Sequence, residues 1–131
     1  MANQFWSVNT DTPQCVFVAN TSGPIARTDN GALIHRGLVL LNSTAALALT
    51  LDAPKAGSPS LGGEDGVRLD IVVVASAPLT APVTHTISFP TGSINGGVAS
   101  TLSFAGQTNV TASLIAFNGY WWLIDSGAVM S

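Results

Sequence analysis

Charge is what this sequence has least of. Asp, Glu, Lys and Arg make up 8% of the chain, against roughly a quarter of an average soluble domain. Between Ile71 and Ile124 there is none at all. Arg27, Arg36, Lys55 and Arg68 are scattered, and the formal net charge is −3. Phosphate binding needs clustered Lys and Arg, so no nucleic acid is expected as a partner. The single cysteine, Cys15, leaves no intramolecular disulfide and no Cys-rich zinc site.

Long apolar runs are also missing. Pro78, Pro82, Pro90 and several glycines interrupt the charge-free stretch. Its runs fall well short of the ~20 residues a membrane helix needs, so no membrane is expected. Met1 to Asn20 carries neither a basic n-region nor a continuous apolar h-region, so no secretory leader is expected.

Catalytic motifs are absent as well. There is no Gly-x-Ser-x-Gly elbow, no Walker loop and no Gly-x-Gly-x-x-Gly. His35 and His85 stand far apart. His85 lies on an apolar strand face, which suits a core or interface histidine better than a general base. Cys15 opens the apolar run Cys15-Val16-Phe17-Val18 and reads as a small buried hydrophobe. Glu64, Asp65 and Asp70 are the only acidic cluster. Gly63-Glu64-Asp65-Gly66 lacks the alternating oxygen ligands of a calcium loop and reads as a solvated turn. No catalytic, cofactor-binding or metal-binding residue is expected, and the chain is not expected to be an enzyme.

What is present is hydrophobicity at period two. Hydrophobic residues make up 47% of the chain and mean hydropathy is +0.42, which excludes a disordered polymer. Val83-Thr84-His85-Thr86-Ile87-Ser88-Phe89 alternates without a break, as a half-buried strand does. Val67 to Val73 alternates too, and Val72-Val73-Val74 reads as buried on both faces. Further strands are expected at Cys15 to Ala19, Val39 to Leu41, Leu47 to Leu51, Leu102 to Phe104, Val110 to Phe117 and Tyr120 to Ile124. Asn118-Gly119 predicts a type I′ hairpin turn, where both central residues need positive φ. Leu38 to Leu51 reads as a hairpin around Asn42-Ser43-Thr44, and Pro54 to Gly66 as an exposed loop.

No window carries a capped apolar stripe at helical spacing. Short strands at regular spacing predict an all-β fold: one compact domain, a β-sandwich, jelly roll or barrel. Its expected limits are residues 13–131. Residues 1–12 read as an extended N-terminal arm with no element of its own. Phe5 and Trp6 in that arm either dock onto a partner or fold back on the core. Tyr120-Trp121-Trp122 is the densest aromatic site. Strand geometry puts Tyr120 and Trp122 on one face and Trp121 on the other. One side can seal the core or a subunit contact, and the other can stack on a sugar ring.

The second half has a recognisable order. It runs through Thr84-His85-Thr86-Ile87, Ile94-Asn95-Gly96-Gly97 and Thr101-Leu102-Ser103-Phe104-Ala105-Gly106. It closes with Leu114-Ile115-Ala116-Phe117-Asn118-Gly119-Tyr120-Trp121-Trp122-Leu123-Ile124. With Leu49 to Pro54 and Asp65 to Leu69, this resembles small β-rich virion proteins of tailed bacteriophages, over about residues 38 to 125. The doubled Trp and the low charge depart from the usual pattern. Similar domains occur in head decoration proteins and in fibres.

The resemblance implies a structural protein made in the host cytoplasm and carried on the capsid surface. With one domain and no shaft repeat, a capsid decoration (cement) protein is expected. It would be a homotrimer on the major capsid protein lattice, stabilising the head. Phe5 and Trp6 are then its capsid-interface candidates. His85, Tyr120, Trp121 and Trp122 are candidates for an oligomer interface or a glycan contact. The alternative is a head- or tail-fibre-type module that binds a host-surface glycan through exposed aromatics.

Overall fold

The computed structural model describes residues 6–8, 15–26, 28–29, 32–33, 36–75, 83–105 and 110–131. The protein is all-β, and two mixed sheets pack face to face as a sandwich. Its strands are β1 (Trp6–Val8), β2 (Cys15–Ala19), β3 (Gly23–Pro24), β4 (Thr28–Asp29), β5 (Ala32–Leu33), β6 (Arg36–Asn42) and β7 (Ala48–Thr50). They continue with β8 (Arg68–Ala75), β9 (His85–Ser88), β10 (Thr101–Phe104), β11 (Thr111–Phe117), β12 (Tyr120–Ser126) and β13 (Val129–Met130).

The six-stranded sheet has the order β1-β2-β6-β8-β11-β12, and the five-stranded sheet β13-β10-β9-β7-β3. The two orders correspond. Each of β2–β3, β6–β7 and β8–β9 leaves the larger sheet and enters the smaller one. Within each sheet these strands stack in parallel: β2, β6 and β8 in one, β3, β7 and β9 in the other. The chain then reverses. β10 and β11 add antiparallel to β9 and β8, and β12 and β13 add outside them.

Leu38 to Leu51 is therefore not a hairpin. β6 pairs with β2 and β8, whereas β7 pairs with β3 and β9. The turn at Asn42-Ser43-Thr44 is an arch between layers. Hairpin and arch share polar turn residues and alternating strands, and differ only in distant partners. The apolar run Gly37 to Leu41 was the available signal, because parallel strands lose the polar face that an antiparallel hairpin shows.

In-register rows build the core. Phe17, Val39, Ile71 and Ala112 align across the larger sheet, as do Ala19, Leu41 and Val73. Leu49, Ile87 and Leu102 face them from the smaller sheet. All of these are buried. Val72, by contrast, is half-buried and Val74 is 43% exposed, so β8 is not buried on both faces at its end. Cys15 is half-buried against the core edge.

Two local expectations also change. Residues 1–12 include a strand: β1 pairs antiparallel with β2, Trp6 opposite Phe17 and Val8 opposite Cys15. Three residues are too few for a period to be read from sequence. The other residues of the arm, Phe5 among them, lie outside the described residues. Pro54 to Gly66 is a self-bonded loop with exposed residues at its tip. It carries a short 3₁₀ turn at Pro59–Leu61, capped by Ser58 and by Gly62 at φ 84°. Glu64 is buried within it.

Candidate binding surface

The β11–β12 hairpin positions the aromatic triplet. Phe117 pairs with Tyr120 across a two-residue turn, and Asn118 and Gly119 have φ of 54° and 83°. These are the two left-handed residues that a type I′ turn requires. Alternation then separates the side chains. Trp121 turns inward and is fully buried, while Tyr120 and Trp122 share the outer face.

Trp121 fastens the layers together. Its Nε1 donates to the Asp52 carbonyl at 2.8 Å, beyond β7. Its backbone N–H donates to Ser93 O at 2.8 Å, and its carbonyl accepts from Asn95 N at 2.9 Å. Asn95 Oδ1 accepts from Leu123 N at 2.9 Å. The 93–95 segment thus covers the first half of β12, which would otherwise present an open sheet edge. Further along, Leu114 pairs with Leu123 but Ser113 with Asp125. Ile124 is the extra residue of a β-bulge, a second device that interrupts the edge.

His85 is also internal. Its Nδ1 accepts from Leu47 N at 3.1 Å, and its Nε2 lies 3.4 Å from Ala75 O. A backbone N–H aimed at Nδ1 fixes the neutral tautomer with the proton on Nε2, which Ala75 O can accept. The ring therefore joins the ends of β7, β8 and β9. Burial removes His85 and Trp121 from any oligomer or glycan contact. Tyr120 and Trp122 remain at the surface.

Trp122 is 37% exposed. Its Nε1 donates to Phe117 O at 3.0 Å, so its one polar atom is satisfied within the hairpin. The far end of the ring lies against Gly96, where a Cβ would come within 3.1 Å of Cη2. Tyr120 meets it edge to face, with centroids 6.0 Å apart and planes at 71°. Phe117, on the same outer face, is 59% exposed.

The acidic residues do not gather. Glu64 Oε1 accepts from Lys55 N at 2.8 Å inside the loop. Asp65 Oδ1 accepts from Asn118 N at 2.9 Å and ties the loop to the hairpin turn. Asp70 accepts from Ser113 Oγ at 2.7 Å and from Arg68 Nε at 3.3 Å on the outer sheet face. Among the described residues no group of three His, Cys, Asp or Glu is placed to hold a metal ion, and no helix is long and apolar enough to cross a membrane.

The outer face of the larger sheet is a second surface. Val16 and Leu38 pair across it, as do Val18, Leu40 and Val72. All five are half-buried on the side away from the sandwich core. Sequence alternation assigned the inner residues correctly. Of the outer row it marks only Val72, through the run Val72-Val73-Val74; the alignment of that residue with Leu40 and Val18 follows from the parallel register and has no signal in sequence.

Comparison with known proteins returned no matching family model, no matching curated protein and no matching solved structure.

Proposed function

We propose that this chain is a structural virion protein of a tailed phage: a decoration protein that binds the major capsid protein lattice as a trimer and stabilises the head. The observation that carries the reading is the outer face of the six-stranded sheet. Val16, Val18, Leu38, Leu40 and Val72 occupy positions that a solvated sheet face normally gives to polar residues. Few charges lie beside them: Arg36, and the Arg68–Asp70 pair. A face of this kind suits contact with neighbouring subunits. The order of motifs from Leu38 to Ile124, similar to that of small virion proteins, adds to it.

On this reading Phe5 remains the arm's candidate anchor to the shell. Trp6 stands opposite Phe17 in the β1–β2 register, a position on the core-facing side of the sheet, which favours the alternative that it closes this domain's own core. The test is saturation binding of the purified protein to heads that lack it. Uptake should plateau at a fixed number of copies per capsomer, and Leu40→Glu on the outer face should weaken it. Uptake that never saturates, or no uptake, overturns the reading.

A further inference from the structure

We infer that the β11–β12 hairpin carries a binding site for an uncharged saccharide, with the exposed ring of Trp122 as its stacking platform. The inference does not rest on the virion reading, but it requires the hairpin end of the outer sheet face to stay open to solvent.

The ring is immobilised before any ligand arrives. Phe117 O holds Nε1 at one end, Gly96 lies against the other, and Tyr120 abuts it edge to face. A ring whose only polar atom is already bonded offers solvent an apolar π surface alone. The C–H face of a pyranose is the complement of such a surface. Because the ring is already fixed, binding costs little side-chain entropy.

Polar groups for sugar hydroxyls stand on the same turn. The Tyr120 hydroxyl and the Asn118 side-chain amide make no hydrogen bond among the described residues. Asn118 is exposed, and its backbone is pinned by Asp65. The Tyr hydroxyl both donates and accepts, and the amide offers one group of each kind.

The charge pattern selects against other stacking ligands. A nucleotide would need cations for its phosphate. Among the described residues two cations lie near the hairpin: Arg68, opposite Ile115 and engaged with Asp70, and Lys55, next to Ala56 beside the turn at Gly119. They are not clustered, and Asp65 stands at the same turn. Trp122 and Phe117 are partly exposed at the hairpin end of the sheet face, and a large aromatic buries about 150–250 Å² in all, an area that one or two sugar rings fit. A second copy of the chain lying along the rest of that face is the competing occupant, and an NMR titration separates the two.

The test is an NMR titration of the full-length chain with four neutral probes: cellotetraose, maltotetraose, mannotetraose and chitotetraose. The Trp122 indole N–H signal should shift saturably with at least one probe, while that of buried Trp121 stays in place. Trp122→Ala should weaken binding about tenfold or more, Trp122→Phe should keep part of it, and Tyr120→Phe should weaken it severalfold. If Trp122→Ala fails to fold, Tyr120→Phe carries the comparison. In the Trp122 variants binding is read from the Asn118 and Gly119 backbone amide signals instead. No shift with any of the four probes overturns the inference, as do amide shifts that survive these substitutions at unchanged affinity. A Trp122 signal that responds only to protein concentration also overturns it, since a second copy of the chain then covers the ring.

Discussion

At the scale of single residues, stability rests on a few buried polar contacts and two left-handed turn positions. Leu47 N–H has its acceptor in His85 Nδ1. His85→Leu keeps the apolar bulk but leaves that donor unpaired, which costs about 1–3 kcal/mol. His85→Asn returns an oxygen near the Nδ1 position and should recover part of the loss. Urea midpoints of the two variants check the order, and equal midpoints would show that the bond contributes nothing. Gly119 sits at φ 83°. Gly119→Val forces a β-branched residue into that region and should cost about 1–3 kcal/mol by the same measurement. Both residues were legible in sequence: the histidine from its place on an apolar face, the glycine from the Asn-Gly pair. Glu64 was not. Its burial depends on Lys55 N across a loop whose closure has no period, and Gly-Glu-Asp-Gly reads as solvated turn chemistry.

At the scale of elements, the strands were legible and their partners were not. Period two locates β8, β9, β11 and β12 because each buries one face. It does not say whether the next strand returns beside the last or crosses to the other layer, which is why β6 and β7 were misjoined. Tight turns are the exception, since Asn118-Gly119 fixes the partner of β11 locally. The loop from Pro54 to Gly66 behaves as a folded element. Gly63 N donates to Ser58 O, Asp65 N to Gly57 O, and Glu64 N to Lys55 O. Glu64→Ala removes the acceptor for Lys55 N and should speed hydrogen exchange at Lys55 and Asp65 while strand amides stay protected. Glu64→Gln keeps an acceptor and should exchange nearly as the unsubstituted chain does. Equal exchange in both variants would mean that the carboxylate does not hold the loop.

At the scale of the whole molecule, one sheet face closes the core and the other stays largely apolar. The charge-free stretch of the sequence, Ile71 to Ile124, points elsewhere: of this face it holds Val72 but not Val16, Val18, Leu38 or Leu40, and the face becomes visible only when β2, β6 and β8 align their outer valines and leucines. Leu40 lies between Val18 and Val72 near the middle of that face. On the proposed trimeric assembly, light scattering should give a trimer for the unsubstituted chain and a monomer for Leu40→Glu, whose circular dichroism spectrum should stay β-like. A trimer that persists would place the subunit contacts elsewhere. The proposal that this face meets a capsid is tested most directly by a cryo-EM map of heads saturated with the protein. Density is expected at capsomer positions, with the outer face of the six-stranded sheet against the shell or against sister subunits. Heads that stay bare, or copies bound with that face turned to solvent, would exclude the decoration role.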